Sequence, residues 1–209
     1  MRLGEAVVLV IIVLSIAVSL YAYPSLPDQI PSHWNAQGEV DGYMSKFWGL
    51  FMLPLISIGL LLLFMAIPVI DPLKANIKKF RKQYDRFVVI IIVFFFYIHL
   101  LIILWSLSVP FNMTQALIPA IAGLFYYIGV LLTHAKRNWF VGIRTPWTLS
   151  SEKVWNKTHR LGGKLFKAAG VVALLGIVFP DFGIWFILIP ILAVVVYTIA
   201  YSYFEYQKQ

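Results

Sequence analysis

The stretch Phe87-Val88-Val89-Ile90-Ile91-Ile92-Val93-Phe94-Phe95-Phe96-Tyr97-Ile98-His99-Leu100-Leu101-Ile102-Ile103-Leu104-Trp105-Ser106-Leu107-Ser108-Val109 decides the fold. It contains no Asp, Glu, Lys or Arg, and one imidazole, His99. A hydrocarbon core about 30 Å thick needs about 20 such residues at 1.5 Å each. Five further stretches read the same way: 3–23, 47–70, 116–133, 165–179 and 182–204. The fifth is short and leans on Lys164 and Lys167 snorkelling at one end. The first resembles a signal peptide in having Arg2 ahead of it and Ala22 near its end. Its apolar run is long for one, however, and Glu5 stands where a basic region belongs, so it reads as a retained span.

Composition agrees. The 209 residues are 61% hydrophobic and only 12% charged, against roughly 45–50% and about 25% in soluble domains. The absence of cysteine excludes disulfides, thiolate metal sites and thiol catalysis. The net charge of +8 points to lipid head groups and topology rather than nucleic acid, because the basic residues fall in two short loops between apolar spans.

Those loops orient the chain. Residues 71–86 carry Lys74, Lys78, Lys79, Arg81, Lys82 and Arg86, and residues 134–167 carry Lys136, Arg137, Arg144, Lys153, Lys157, Arg160, Lys164 and Lys167. Arg2 and Lys208 mark the termini, and the alternate loops hold only Lys46. Basic loops face the cytoplasm. The expectation is therefore an all-α, polytopic membrane helix bundle with six transmembrane helices and both termini inside.

Two loops exceed what a connector needs. The external loop, 24–46, is stiffened by Pro24, Pro27 and Pro31 and turned by Asn35, Gly38 and Gly42. His33, Asp28, Glu39 and Asp41 suit a divalent metal if they converge. One histidine with scattered acids fits a hydrated, locally hydrogen-bonded turn better. The cytoplasmic loop, 134–164, contains Asn138-Trp139-Phe140-Val141-Gly142-Ile143-Arg144-Thr145-Pro146-Trp147-Thr148-Leu149-Ser150. Thr145-Pro146 ends an extended run, and Ser150 or Ser151 is placed to cap a helix with Glu152 near its positive end. Trp155, Thr158, His159 and Gly162 then share one face. Trp139, Trp147 and Trp155 read as interfacial anchors for a short amphipathic helix between spans four and five. A docking or relay site made of Arg144, Glu152 and His159 is the alternative.

The external stretch, with Leu26-Pro27, Ile30-Pro31-Ser32-His33-Trp34-Asn35, Gly38 and Asp41-Gly42, resembles the DUF1648 membrane domain. The stretch from Asn138 to His159-Arg160 resembles the signature of the SdpI-type immunity protein family. The resemblance implies two regions: 1–110, DUF1648-like, with spans one to three, and 111–209, SdpI-like, with spans four to six. It implies a bacterial or archaeal protein of the cytoplasmic membrane that protects a cell against a secreted toxic peptide. Some members are also associated with holding a transcriptional repressor at the membrane. On it, the binding candidates are Pro31, His33, Asn35, Gly38 and Asp41 outside. Inside, the binding or anchoring candidates are Asn138, Gly142, Arg144, Thr145, Pro146, Trp147, Trp155, His159 and Arg160. No catalytic residue transfers.

The residues themselves give no enzyme signature: no HExxH, no GxSxG elbow and no aspartate pair inside two spans. No cofactor is expected beyond the weak external metal reading, on which the chain would be a metal-dependent membrane enzyme using the external loop. His99, deep in span three, is a functional candidate by its position. It fits either a neutral imidazole bonded across helices, to Ser106, Tyr126 or Tyr127, or a proton or ligand role in a small transporter. Ala169, Gly170, Ala173 and Gly176 permit close packing of span five, and Pro54, Pro68 and Pro119 are candidate kinks. The two long loops occupy corresponding places in two three-span halves. No residue similarity relates those halves, so an inverted repeat is not the better explanation.

Overall fold

The computed structural model describes residues 3–35 and 37–209; Arg2, used above for orientation, lies outside the described residues. Among those, six helical segments are long and apolar enough to cross a membrane. They are α1 (Leu3–Ala22), α2 (Lys46–Ile70), α4 (Arg81–Ser106), α5 (Met113–His134), α7 (Glu152–Ala173), continued by α8 (Leu175–Val178), and α9 (Gly183–Gln207). Their outward faces are apolar and exposed, as at Leu62, Leu63, Ile189, Leu192 and Val196. That inversion is stable only with lipid as the solvent. Two short helices, α3 (Lys74–Lys79) and α6 (Pro146–Ser150), lie between spans.

Two sequence expectations change. The fold is not purely helical: the external loop is a β-hairpin of β1 (Gln29–Trp34) and β2 (Val40–Ser45), paired antiparallel with bulges around His33. The prolines that stiffen it leave β1 an edge strand, where a missing N–H costs least. The expected amphipathic helix is also not separate, since it forms the first turns of α7. The Ser151 hydroxyl accepts from Val154 N at 3.3 Å and caps the helix. The helix then runs without a break past residue 165. Its charges lie on the exposed face, so the helix begins well before its apolar run does.

The helices pack in two groups. α1, α2 and α4 enclose Val8, Ile12, Leu61, Ile67, Tyr84 and Ile92. α5, α7 and α9 form the second group through small residues. A Cβ on Gly170 would sit 2.7 Å from Ala122 O, and one on Gly163 would stand 2.7 Å from Gly129 O, so backbones touch where side chains would hold them apart. α4 and α5 join the groups.

Pro54, Pro68 and Pro119 lie inside helices and terminate none of them abruptly. A proline lacks the N–H that would serve the carbonyl four residues earlier. In α2 both freed carbonyls find a donor on another helix. Leu50 O, opposite Pro54, accepts from Ser19 Oγ at 2.9 Å. Phe64 O, opposite Pro68, accepts from Tyr84 Oη at 2.8 Å. In lipid no water could do this, so the two prolines tie α2 to α1 and to α4.

Candidate functional site

Three clusters of chemistry lie along the axis of the bundle: the hairpin at one end, a buried imidazole between helices, and a folded cap at the basic end.

At the hairpin end, Ile30 is fully buried and packs where Gly49 of α2 leaves room. Trp34 sets its ring edge-on to Trp105 of α4, with centroids 6.1 Å apart, and its Nε1 is a buried donor without a partner. The tip is built on Asn35, whose side-chain oxygen accepts from Gln37 N and Glu39 N at 3.0 and 2.9 Å. Gly38 has φ +82, and a Cβ there would stand 2.9 Å from the Asn112 amide, so the tip rests on the turn before α5. The hairpin thus touches both helix groups. On its open face His33 Nδ1 and Asp41 Oδ1 are 2.5 Å apart, with side chains 71% and 46% exposed. Asp28 instead pairs with Lys46 at 3.3 Å, and Glu39 accepts from Asn35 at 3.0 Å. The four proposed metal ligands are therefore not brought together, and among the described residues no group of three His, Asp or Glu gathers. Pro31 sits in β1, buried, opposite Tyr43.

In the bundle, His99 is fully buried and held by α1. Its Nδ1 lies 2.5 Å from Ser15 Oγ and its Nε2 lies 3.0 Å from Ser19 Oγ. The protons can be assigned by elimination. Ser19 has one hydroxyl proton, directed at the carbonyls of Leu50 and Ser15, which only accept. His99 Nε2 must then carry the proton that Ser19 accepts, and Nδ1 accepts from Ser15. A neutral imidazole satisfies every group. The expected partners were wrong, because Ser106 and Tyr127 bond elsewhere, to Ile102 O and Gln83 O, and Tyr126 is exposed. Ser15 and Ser19 are a polar i, i+4 pair on an apolar helix, and Pro54 frees the carbonyl that completes the network. Both signals stood in the sequence unread.

At the basic end, residues 135–151 fold over the helix ends. Asn138 is fully buried and uses both ends of its amide: Nδ2 donates to Lys136 O and Val141 O, and Oδ1 accepts from Phe140 N and Val141 N. Asp71, at the end of α2, accepts from Trp139 N at 2.9 Å. Gly142 has φ +127, and a Cβ there would collide with His159 Nε2. Trp155 is fully buried, donates from Nε1 to Ala135 O at 2.9 Å and stacks on His159 at 3.8 Å. His159 Nδ1 faces Trp155 O at 2.9 Å, so it donates, and Nε2 accepts from Ile143 N at 3.0 Å. Thr145 caps α6, begun by Pro146, and bonds Ser202 of α9 at 3.0 Å. Trp147 lies edge-on to Tyr203 at 5.1 Å.

Trp155 is thus a core residue and no interfacial anchor, while Trp139 is half-exposed. The relay of Arg144, Glu152 and His159 does not assemble: His159 is buried with both nitrogens occupied, and Arg144 reaches Trp139 O at 2.7 Å. Arg160 is exposed beside Lys164 and Tyr201. Glu205, which the sequence reading passed over, accepts from Lys157 at 2.5 Å and from Lys208 at 2.8 Å. The bond to Glu205 raises Lys208 above the ordinary lysine value.

The fold and sites together define a multi-pass membrane helix bundle with a folded hairpin at one end and a hydrogen-bonded cap at the other. Residues 10–58 match the model of a domain of unknown function, DUF1648, and residues 134–203 match the SdpI/YfhL protein family. The chain is 26% identical over 202 residues to the Immunity protein SdpI of Bacillus subtilis (strain 168), covering 96% of this chain and 94% of that protein. These matches make the chain similar to the SdpI-type family at both of its motif-bearing loops and along nearly its whole length. No solved structure gives a significant match.

Proposed function

We propose that this protein is an immunity protein of the cytoplasmic membrane, protecting its cell against a secreted toxic peptide. The observation that carries the reading is the likeness to the SdpI immunity protein along nearly the whole chain, with the matches to the two family models falling on the hairpin and the cap in the same order. The orientation in this reading puts the basic end and both termini inside. Support for it comes from the clustering of α3, the cap and the end of α9 at one end, where Asn76 bonds Arg137 O, Asp71 bonds Trp139 N and Ser151 bonds Gln209. The hairpin then faces outward. Its exposed His33–Asp41 pair offers a peptide a donor and an acceptor across the two strands of the hairpin. The division into regions 1–110 and 111–209 belongs to the same reading. Repressor capture, if this chain performs it, falls to the inner end, where Lys153, Arg160 and Lys164 are exposed on α7.

A transporter centred on His99 draws no comparable support. Its two nitrogens are occupied by serines, whereas a relay needs a chain of titratable groups.

The test is survival. Cells expressing the protein, His33→Ala or Asp41→Asn are challenged with the toxic peptide of a related producer, with membrane levels matched. Survival with the intact protein and killing with either variant is the expected result. Equal killing of all three overturns immunity against that peptide. Equal survival removes the hairpin pair from the mechanism while immunity stands.

A further inference from the structure

Away from both motif loops, the two helix groups meet along α4 and α5. Tyrosines clasp α4 to α5 at two levels. Tyr97 Oη donates to Ala116 O at 2.8 Å toward the hairpin end, and Tyr127 Oη donates to Gln83 O at 3.2 Å toward the basic end. Beside the lower clasp, an open-sided hollow of about 680 Å³ lies between the start of α1 and α4, with Val7, Lys82, Arg86 and Val89 on its walls. Between the clasps, a second hollow of about 570 Å³ separates α4 from α5, walled by Phe94, Tyr97, Pro119 and Gly123. Ile90 and Tyr127 line both, so the two form one groove.

The groove is amphipathic along its length. Lys82 and Arg86, one turn apart on α4, stand exposed at its mouth, and neither has an ion-pair partner among the described residues. Asp85 shares the mouth and pairs with Arg81 at 2.6 Å, so Lys82 and Arg86 give the mouth a positive excess. Beyond them the walls are apolar. A Cβ added to Gly123 would meet nothing within 4 Å, so the floor there is open. From Arg86 to the Tyr97 clasp the helix rises about 16 Å at 1.5 Å per residue. That is half of a hydrocarbon core about 30 Å thick, the depth reached by one acyl chain.

We propose that this groove holds one anionic phospholipid from the leaflet facing the basic end. Its phosphate sits on Lys82 and Arg86, and one chain runs past Ile90, Phe94 and Gly123 to stop at Tyr97. The basic mouth selects the head group, since each Lys or Arg near a charged surface favours an anionic lipid. The clasps select a chain over a peptide helix, which at about 10–12 Å across would have to displace Tyr97 or Tyr127. The bound lipid fills the seam between the two helix groups, and none of this depends on the immunity reading.

The test uses the full chain in bilayers of phosphatidylglycerol and phosphatidylcholine, with retained lipid counted by native mass spectrometry. A spin-labelled phosphatidylglycerol chain reports immobilisation in parallel. One retained phosphatidylglycerol per chain is expected. Arg86→Gln with Lys82→Gln should lower its retention about tenfold or more. Gly123→Leu, which builds into open space, should abolish the immobilised chain signal while the unfolding temperature in neutral lipid holds. The chain-free head group, glycerophosphoglycerol, should not compete. Equal retention of both lipids, unchanged retention in all variants, competition by the bare head group, or a second protein copy in place of the lipid would each overturn the proposal.

Discussion

The hairpin and the cap are both motif-bearing loops, yet they spend their polar groups in opposite ways. In the cap, Asn138, Trp155 and His159 are buried and turned inward, and their donors and acceptors are matched within the fold. In the hairpin, the anchor Ile30 is buried, while the His33–Asp41 pair faces out. A long, specific sequence signature therefore does not mark a ligand contact by itself. The cap's signature records what one rigid arrangement of backbone, glycine and aromatic rings requires. The hairpin's records a small scaffold presenting a polar pair.

The sharpest way to break that contrast is Trp155→Ala. Truncating a fully buried aromatic ring costs about 3–5 kcal/mol, and here it also orphans Ala135 O. A large fall in thermal unfolding temperature in detergent is expected; a small one would mean the cap is not a structural keystone. Gly142→Ala comes next. Its positive φ carries a strain of about 1–3 kcal/mol for a side chain, and the added Cβ displaces His159 from Ile143 N. Unfolding by the same assay should show a smaller but clear loss.

His99→Leu tests the region between the two loops. It removes bonds to both serines, and intramembrane side-chain bonds average about 0.6 kcal/mol each, with model peptides giving up to about 2. A loss of about 1–2 kcal/mol is expected, and it should not add to that of Ser19→Ala, because the two share one network. Pro54→Ala sharpens this further. It restores an N–H for Leu50 O, so Ser19→Ala should cost less in that background; an unchanged cost would show that the freed carbonyl is not what Ser19 serves. The smallest stability effect belongs to His33→Ala and Asp41→Asn. An exposed pair contributes about 0–1 kcal/mol, so unfolding should barely move while protection against the peptide is lost.

Much of the architecture was legible because lipid imposes simple demands. Spans must be long and apolar, and basic loops collect on one side. The helix that carries the fifth span begins well before the apolar run 165–179, because Lys153, Lys157, Arg160 and Lys164 share the face of α7 opposite Val154, Trp155, Thr158 and His159. An average over both faces cannot see a helix that is apolar on one. The hairpin was legible as a folded turn around Asn35 and Gly38 but not as paired strands, since pairing depends on the partner's register. The weak metal candidates His33, Asp28, Glu39 and Asp41 do not converge. Nearness in sequence grouped them, whereas Asp28 pairs with Lys46 at the open end of the hairpin and Glu39 with Asn35 in its turn.

The sequence by itself determined the six spans, the basic end, a helix cap at Ser150 or Ser151 and the two elaborate loops, because each is a local or compositional property. Only the tertiary structure decided that Trp155 is core and not an anchor, that His99 answers to two serines on α1, and that the carbonyls opposite Pro54 and Pro68 are served from neighbouring helices. Those outcomes turn on which groups meet across tens of residues. In a solvent that offers no hydrogen bonds, every polar group must find its partner within the packed fold.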